Sequence, residues 1–379
     1  MQKRIRIVSV GIVLVILLIG IIVMNNNSNN KYSFTQDGIK YALTLDGEKT
    51  TSFPSKGMYK AQVTCVGADG RWIYDDWKLA IENITSDDVT CDINFSTITK
   101  TNLNDYIISL AGTTQGTGQV VNENGYRYEG KNPNNYIWFN NEYWRIIGVF
   151  DSASHGVSGK NLVKIIHADV LDGLAWNKSN TNDWTASSLK SLLNGAYYNA
   201  QDGTNSGYCY GYSTTATANC DYTKRGIQAG YRGMIASVTW HLGGYLSTSA
   251  TTSAFYGYER GTTVYSGRPT STTGYIGLMY PSDYGYSVLS SSCARTTNLG
   301  SYNSANCAGQ SWLYGKGYEW TLTPYSSYSD SVFILRYNGY VHGSIANDGC
   351  GSRPVLYLDA SVYKIDGDGS LNNPYIVGM

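Results

Sequence analysis

The sequence predicts an α+β, mostly β protein with an N-terminal transmembrane helix, a small β-sandwich and then a loop-rich larger domain. Three observations support this. Residues 7 to 24 form an apolar run. Apolar and polar residues alternate with period two through much of residues 32 to 98, which is typical of half-buried strands. Gly, Ser, Thr, Tyr and Asn dominate residues 199 to 310, which indicates long loops.

The apolar run is the predicted membrane anchor. At about 1.5 Å per residue it extends for about 27 Å, close to the thickness of a hydrocarbon core of about 30 Å. Lys3, Arg4 and Arg6 precede it, which places the N-terminus in the cytoplasm and the rest outside. A cleaved signal peptide or a buried soluble helix are the alternatives, but no small-x-small cleavage site is visible. We therefore expect a single-pass, signal-anchored protein of the cell surface, with an extracellular C-terminal region.

Composition limits the possible partners. Charged residues make up 15% of the 379 residues, and the formal net charge is zero. This argues against a nucleic-acid partner, which would need a basic face. The hydrophobic content of 42% argues against disorder. The expected partners are therefore the membrane, through the N-terminal helix, and a glycan or protein ligand.

The seven cysteines predict disulfides, because an exported protein is in an oxidising environment. Proximity in sequence favours three pairs and leaves Cys350 over, although sequence alone does not determine connectivity. In the first domain the side chains of both cysteines are predicted to point to the buried face of their strands, so they could bridge two sheets. There is no C-x-x-C motif, and the four His residues stand apart from the cysteines, so we expect no metal or cofactor. The predicted pairs are Cys65–Cys91, Cys209–Cys220 and Cys293–Cys307.

Changes in composition suggest four segments. Residues 1 to 30 form the cytoplasmic tip and anchor, and residues 31 to 98 form the β-sandwich. Residues 99 to 125 contain a short helix, predicted at 103 to 110, followed by a Gly- and Thr-rich linker. Residues 126 to 379 form the larger domain.

Turn chemistry predicts three hairpins in the larger domain. Asn140 and Asn141 separate two apolar runs, and Asn338-Gly339 suits a type I′ turn. Residues 366 to 370 join the two last strands. A helix is predicted over residues 183 to 198, with Asp183 or Thr185 as its N-cap.

Several motifs of residues 120 to 379 belong together. They are Asn-Pro-Asn-Asn-Tyr at 132–136, Trp-Arg-Ile-Ile-Gly-Val-Phe at 144–150, Leu-Met-Tyr-Pro-Ser-Asp-Tyr at 278–284, Gly-Ser-Arg-Pro-Val-Leu-Tyr-Leu at 351–358 and Gly-Asp-Gly-Ser at 367–370. With these motifs the chain resembles a family of exported domains of Gram-positive and related gut bacteria. The resemblance implies an exported location and no particular activity.

A second, more distant resemblance concerns the C-terminal part. Trp320, the stretch 326 to 348 and the run Gly351-Ser-Arg-Pro-Val355 are similar in layout to the C-type-lectin-like fold of formylglycine-generating enzymes and hypervariable bacterial ligand-binding proteins. The resemblance implies that fold for residues 126 to 379. The enzymes bind copper through a pair of cysteines upstream of the final Gly-x-Arg, whereas this chain has Cys350 alone there. The enzymatic activity is therefore not carried over.

Tyrosines supply the candidate ligand-binding residues. Tyr gives a large amphipathic contact area at low entropy cost, and Ser and Asn add adaptable hydrogen bonds. A structural role is the alternative, because Tyr also favours strands. The first hypothesis is a ligand-binding or adhesion module for glycan or protein. The predicted binding residues are Tyr325, Tyr328, Tyr337, Tyr340 and His342.

Two other hypotheses stay open. A cell-envelope enzyme or assembly factor would need acids in a cleft, and Asp283 and Glu319 are the two to inspect. A purely structural surface component would need neither. We predict no catalytic residues: Cys350 and His342 could form a nucleophile and base, but nothing in the sequence orients the His. Arg353 is interpreted as structural, bound to a carboxylate or to carbonyl groups.

Overall fold

The computed structural model describes residues 14–15, 32–57, 59–74, 76–212, 219–303, 305–315 and 317–379. The chain divides into two compact units, Met1–Lys100 (unit 1) and Thr101–Met379 (unit 2). Strands dominate both units, which confirms the α+β, mostly β prediction. Within the predicted anchor, Leu14–Val15 are a two-residue strand paired with Ile81 and Ala80 and do not support the helix, and the rest of the anchor lies outside the described residues. In the described part of the chain, no helix is long and apolar enough to cross a membrane.

Unit 1 has two sheets that contribute to one apolar core. One sheet has the order β2-β3-β8-β5 with β4 beside β3, and the other has the order β1-β7-β6. In β8, Cys91, Ile93 and Phe95 are buried while their neighbours are not, as period-two alternation predicts. Trp72 and Ile81 of the second sheet are buried in the same core. The strands are β1 (Leu14–Val15), β2 (Phe34–Gln36), β3 (Ile39–Leu45), β4 (Glu48–Thr50), β5 (Tyr59–Val66), β6 (Asp69–Ile73), β7 (Lys78–Glu82) and β8 (Thr90–Thr97).

The Cys65–Cys91 disulfide joins neighbouring strands and does not bridge two sheets. The two residues face each other in the antiparallel register of β5 and β8, with a Cα–Cα distance of 4.1 Å. The predicted pairing is confirmed, but the predicted bridge between sheets is wrong. The prediction that the side chain points into the core is correct for Cys91, which is fully buried. Two side chains on the same face of a sheet can, however, also belong to residues directly opposite each other on neighbouring strands.

Unit 2 is built around an eleven-stranded sheet and a five-stranded sheet. Its strands are β9 (Thr101–Asn102), β10 (Thr114–Gln115), β11 (Gly118–Asn122), β12 (Tyr126–Gly130), β13 (Tyr136–Phe139), β14 (Glu142–Phe150), β15 (Leu162–His167), β16 (Gly173–Ala175), β17 (Val238–His241), β18 (Ser271–Gly274), β19 (Ile276–Gly277), β20 (Glu319–Pro324), β21 (Ser331–Leu335), β22 (Val341–Ile345), β23 (Gly349–Gly351), β24 (Val355–Tyr357), β25 (Tyr363–Asp366) and β26 (Tyr375–Gly378).

Helices are short in unit 2, and the longest in the described residues has eight residues. The α-helices are α1 (Leu103–Ser109), α2 (Ser152–His155), α3 (Ser188–Leu192), α4 (Ala229–Arg232), α5 (Thr252–Glu259) and α6 (Pro281–Ser287). Single turns of 3-10 helix occur at Trp184–Ala186, Leu299–Ser301 and Ala308–Gln310, and a π-helical turn at Leu193–Tyr197.

Strand β14 is the centre of the large sheet. It pairs with β12 and β13 along one edge and with β15 along the other. Strand β15 continues to β24 and β19, while β13 continues in parallel to β26, then β25 and β9. This position explains why β14 reads as an almost continuous apolar run: from Trp144 to Phe150 every residue is buried.

The five-stranded sheet has the order β16-β23-β20-β21-β22. Strands β20, β21 and β22 follow one another as an antiparallel meander. The turn of residues 325 to 330 joins β20 to β21, and the turn of residues 336 to 340 joins β21 to β22. The two turns therefore lie at opposite ends of β21, and between them they contain four of the five candidate binding residues.

The predicted hairpins are present, with one difference in turn type. Asn140 and Asn141 both have positive φ, at 59° and 60°, as a type I′ turn requires. In the turn of residues 336 to 340, Gly339 has a φ of 97° and Asn338 does not share this left-handed conformation. The type I′ prediction for Asn338-Gly339 is therefore wrong. Gly339 N–H donates to the carbonyl of Arg336, the pattern of a type I turn followed by a left-handed glycine.

The helix and linker predictions have mixed outcomes. The short helix is confirmed as α1. The linker prediction for residues 111 to 125 is wrong, because β10 and β11 occupy part of this segment and pair with each other. The helix predicted over residues 183 to 198 is interrupted. Asp183 caps the 3-10 turn, as predicted for an N-cap, but Ser187 caps a separate start at α3.

Candidate functional site

The structure separates the five candidate binding residues into two groups. Tyr325 and Tyr328 lie in the turn between β20 and β21, which we call the tyrosine loop (residues 325 to 330). Tyr337 and Tyr340 lie in the turn between β21 and β22, and His342 is in β22. Five residues of β21 separate the turns, a distance of about 17 Å at about 3.4 Å per residue. The predicted set does not form one continuous site.

Within the tyrosine loop the two aromatic rings have different surroundings. Tyr325 is half-buried and stacks on Phe333, with ring centroids 4.8 Å apart. Tyr328 meets Tyr325 edge to face at 5.1 Å, and 54% of its surface remains exposed. Gly343 makes room for this arrangement, because a Cβ there would lie 2.6 Å from the Tyr325 ring. Tyr325 therefore acts as a support, and Tyr328 is the ring presented to solvent.

Buried hydrogen bonds hold the tyrosine loop in place. The Asn182 side chain, 2% exposed, donates through Nδ2 to the carbonyl oxygens of Tyr328 at 2.8 Å, Ser331 at 3.1 Å and Tyr325 at 3.3 Å. Arg268 donates from Nε to Asn182 Oδ1 and from Nη2 to the carbonyl of Ser329, both at 3.2 Å. A loop fixed before binding loses less conformational entropy when a ligand arrives.

A small pocket adjoins the tyrosine loop. The pocket has room for about one water-sized group. The apolar lining residues are Trp176, Trp184, Leu242, Pro269 and Pro324, and the polar ones are Asn182, Asp183 and Arg268.

Two polar groups of this pocket have unused hydrogen-bonding capacity. Trp184 is 2% exposed, and its Nε1 donor has no acceptor among the residues that the structure describes. The carboxylate of Asp183 uses Oδ1 to accept from the backbone N–H and the hydroxyl of Thr185. In the described part of the chain, neither Asp183 nor Arg268 has an ion-pair partner.

The opposite end of β21 has a different character. Tyr337 is also 54% exposed and meets Tyr318 edge to face at 5.4 Å. Tyr340 is half-buried, and His342 is exposed with its Nδ1 2.9 Å from the carbonyl oxygen of Gly343. This end of β21 therefore also presents an exposed tyrosine ring to solvent.

Cys350 and His342 are not brought together. Cys350 lies in β23 and His342 in β22, and β20 and β21 separate these strands in the sheet. At a strand spacing of about 4.8 Å, the separation is about 14 Å. Burial raises the pKa of the Cys350 thiol to about 12, with a further contribution from the charge of Asp348. The thiol therefore stays protonated at neutral pH and is a poor nucleophile.

Iodoacetamide is expected to leave Cys350 unmodified in the folded protein, because the thiol is buried and protonated. Mass spectrometry after alkylation at pH 8 should show no adduct on this residue without denaturant and one adduct in 6 M guanidinium chloride. The other six cysteines form the predicted disulfides and serve as an internal control. Rapid modification under native conditions would contradict the buried placement.

The acids singled out from the sequence are enclosed in ion pairs. Asp283, in the first turn of α6, lies 3.0 Å from Arg127 Nη1 and 2.5 Å from Lys164 Nζ, and all three side chains are 1% exposed. Burial alone would raise the pKa of Asp283, but the charges of Lys164 and Arg127 outweigh it and lower the value to about 2. Burial lowers the pKa of Lys164 to about 8, with Asp283 partly opposing the shift.

Glu319 and Arg353 form a second buried pair. Arg353 donates from Nε to Glu319 Oε2 at 2.6 Å and from Nη2 to the carbonyl of Leu313 at 2.8 Å. The Glu319 side chain is 2% exposed. The structural interpretation of Arg353 is confirmed, and both an acid and a carbonyl are its partners. Neither Asp283 nor Glu319 is open to a substrate in this conformation.

Sequence reasoning missed Asn182, Trp184 and Arg268. Asn182 is 146 residues from Tyr328 and 86 from Arg268, so no local spacing connects them. A single Asn or Arg carries no motif, and the contact forms only once β20, β21 and the Arg268 loop are assembled. Among the described residues, no group of three or more His, Cys, Asp and Glu side chains is arranged to hold a metal ion.

The motifs behind the two resemblances are structural elements of unit 2. The run at 144–150 belongs to β14, the run at 278–284 includes the start of α6 with Asp283, and the run at 351–358 contains Arg353 and β24. Their apolar residues are core residues. No known protein family, curated protein or solved structure matches the chain.

Proposed function

We propose that this chain is a membrane-anchored bacterial surface protein and that it binds a glycan or protein ligand through the tyrosine loop. The apolar run of residues 7 to 24 and the basic residues before it support the anchor. Three disulfides support an extracellular location for the rest. The proposed fold of residues 126 to 379 is C-type-lectin-like, on the strength of the layout from Trp320 to Val355.

One observation carries the binding proposal. Tyr328 exposes more than half of its surface on a loop whose backbone is fixed by Asn182 and Arg268. An exposed aromatic ring on a flexible loop would lose entropy when it binds, whereas a preorganised ring contributes its full contact area. Tyr is among the residue types enriched at the positions that contribute most to binding.

The site is accordingly narrower than the five residues inferred from the sequence. Tyr328 is the proposed contact residue and Tyr325 supports it from below. Tyr337, Tyr340 and His342 lie at the far end of β21, and the proposed ligand does not reach them.

Replacing Tyr328 with Ala is expected to weaken ligand binding about tenfold or more, because the exposed ring supplies contact area that Ala lacks. Purified full-length protein in mild detergent would be tested on a glycan array and on host-cell surfaces, followed by titration against the strongest ligand. Tyr337→Ala is the matched control, since both rings have the same exposure of 54% and lie at opposite ends of β21. Equal losses in the two variants, or a loss in Tyr337→Ala alone, would refute the assignment of the site.

A further inference from the structure

We propose that two stacked pairs of tyrosines, Tyr245–Tyr258 and Tyr198–Tyr275, are sites of oxidative cross-linking, at which a one-electron oxidant joins the two rings by a carbon–carbon bond. In each pair the rings lie face to face. Their centroids are 4.0 Å apart in the first pair and 4.3 Å apart in the second, and the angles between the ring planes are 14° and 10°. The cross-links do not depend on the proposed ligand-binding function.

Face-to-face stacking separates these two pairs from the other tyrosine pairs. Elsewhere in the described residues, tyrosine rings in contact with each other meet at angles of 62° or more between their planes. An edge-to-face contact brings one edge of a ring against the face of the other. A stacked contact instead brings two whole rings together, so that the carbons that must bond can lie side by side.

The hydroxyl groups of each pair lie on the same side of the stack. A hydrogen-bonding interaction with the Tyr258 hydroxyl raises the pKa of Tyr245, which requires the two hydroxyls to be neighbours. Burial raises the pKa of Tyr198, and the charge and hydroxyl of Tyr275 raise it further. Stacked phenols with neighbouring hydroxyls also have neighbouring ortho carbons. These are the carbons at which tyrosyl radicals couple.

A close approach of two backbone segments holds the first pair. Gly243 N–H donates to the carbonyl of Glu259, the last residue of α5, at 3.0 Å. A Cβ at Gly243 would lie 2.2 Å from the carbonyl oxygen of Tyr258, so glycine is what allows the segments to approach. The rings of Tyr245 and Tyr258 are both half-buried, which leaves part of each open to an oxidant. Two groups held together by the fold react faster, because the entropy of bringing them together was already lost during folding.

Hydrogen bonds hold the second pair. Asn194 accepts through Oδ1 from the N–H of Tyr275 at 3.0 Å and donates through Nδ2 to the carbonyl of Ile276 at 2.8 Å. Arg232 donates from Nε to the carbonyl of Tyr198 at 2.9 Å. The ring of Tyr275 is 37% exposed, so an oxidant in solution can reach this pair as well.

The cross-linking reaction balances with hydrogen peroxide, activated by a haem peroxidase, as the oxidant. Each tyrosine loses one electron and its hydroxyl proton, which gives two tyrosyl radicals. The radicals form a bond between ortho carbons, the hydrogen on each of these carbons leaves as a proton, and each phenolic oxygen takes up a proton again. Hydrogen peroxide accepts the two electrons and two protons and becomes two molecules of water. The chain therefore loses two hydrogen atoms at each cross-link.

The first cross-link would lie beside the tyrosine loop. The carbonyl of Tyr245 accepts from the N–H of Ser326 at 2.9 Å, and the carbonyl of Leu246 accepts from the hydroxyl of Ser327 at 3.2 Å. A bond between Tyr245 and Tyr258 would tie this supporting segment to α5. Oxidation would therefore restrict the motion of the segment on which the loop rests.

The test is oxidation of the purified protein. Full-length protein in mild detergent would be treated with hydrogen peroxide and a haem peroxidase, and the monomer isolated by size-exclusion chromatography to remove links between molecules. Peptide mapping by mass spectrometry should then find both linkages, each two hydrogen atoms lighter than the unlinked residues. The edge-to-face pairs Tyr325–Tyr328 and Tyr318–Tyr337 are the internal comparison. Their yield should be lower by about tenfold or more, because their rings are not aligned for coupling.

Variants locate the effect. Tyr245→Phe keeps a ring but removes the phenol, so it should abolish the link to Tyr258 and leave the second linkage at its wild-type yield. Tyr275→Phe should have the converse effect. Tyr337→Phe is the matched control, because it removes an exposed phenol outside both stacked pairs and should change neither yield.

Three results would count against the proposal. Equal yields at stacked and edge-to-face pairs would overturn it, because stacking would then not select the residues that react. Absence of both linkages under conditions that dimerise free N-acetyltyrosine would also overturn it. A linkage at one stacked pair alone would overturn the assignment of the other pair.

Discussion

Asp283→Asn is expected to lower the free energy of unfolding of unit 2 by about 3 to 5 kcal/mol, among the largest effects of any single substitution in this chain. Asp283 is the carboxylate shared by Arg127 and Lys164, and all three side chains are sealed from solvent. Asn is close in size but carries no charge. Arg127 would then lie buried without a counter-ion, and Lys164 would lose the carboxylate that opposes the lowering of its pKa by burial. The two losses together are far more costly than the loss of one surface ion pair.

Other contacts compensate only in part. Arg127 lies over the rings of Phe150 and Tyr286, with its Cζ 4.5 and 4.6 Å from their centroids, and Lys164 Nζ lies 4.4 Å from the centroid of Tyr280. Such contacts are worth about 2 kcal/mol each when desolvated, less than the cost of an unpaired buried charge. Asp283 also accepts from the backbone N–H of Tyr280 at 2.9 Å, an interaction at the start of α6 that Asn would weaken.

Chemical denaturation with hydrogen-exchange mass spectrometry would measure the effect and assign it to unit 2. Asp169→Asn is the control. Because Asp169 is exposed, this substitution should change the free energy of unfolding by no more than about 0.5 kcal/mol. The pKa of Asp283, about 2 in the folded protein, lies below the value of about 3.9 in an unfolded chain. Its charge therefore stabilises the fold above about pH 4, and this contribution is lost as the pH falls toward 2. The difference in unfolding free energy between wild type and Asp283→Asn should therefore shrink as the pH falls from about 4 to about 2. A difference that stays constant would contradict the ionic explanation.

Local chemistry explains what the sequence could predict. Asn140-Asn141 and Gly339 allow left-handed conformations, so the hairpins at β13–β14 and β21–β22 follow from a few adjacent residues. The disulfides Cys209–Cys220 and Cys293–Cys307 close loops of 11 and 14 residues, short enough for proximity to select the partner. Helix α1 was predictable from its own apolar residues, although Leu103 and Ile107 also pack in the core and Leu103 N–H donates to the carbonyl of Val362.

The remaining features depend on contacts between distant residues. Residues 183 to 198 have apolar residues at helical spacing, but Ser187 hydrogen-bonds to the carbonyl of Trp176 as well as capping α3, and this contact separates α3 from the preceding turn. The strands β10 and β11 lack apolar periodicity and form because β11 pairs with β12. Asp283 and Arg127 are 156 residues apart, and nothing in either neighbourhood indicates the other.

Arg353→Met is the second substitution with a large expected effect, also about 3 to 5 kcal/mol of unfolding free energy. The change keeps an apolar stem of similar length but leaves the Glu319 carboxylate buried without a cation. Glu319→Gln should cost nearly as much, because Arg353 then loses its counter-ion. Denaturant unfolding of the two single variants and of Glu319→Gln/Arg353→Met would give the coupling energy between the side chains.

The double variant is expected to be more stable than the sum of the single losses predicts, because it removes both charges together. It should still fall short of the wild type, since Arg353 Nη2 also satisfies the carbonyl of Leu313, which Met cannot do. If the losses of unfolding free energy in the two single variants simply add up to the loss in the double variant, the result would contradict a direct ion pair.

The position of this pair connects stability to the proposed binding surface. Glu319 begins β20, where it pairs in parallel register with Gly351 of β23, and β20 ends at Pro324, directly before the tyrosine loop. If the ion pair fixes the register of β20, the double variant should exchange the amides of β20 and the tyrosine loop faster than the wild type even where its overall stability recovers. Unchanged exchange in this segment would instead mean that apolar packing around Trp320 and Leu322 determines the register, and that the ion pair contributes to stability alone.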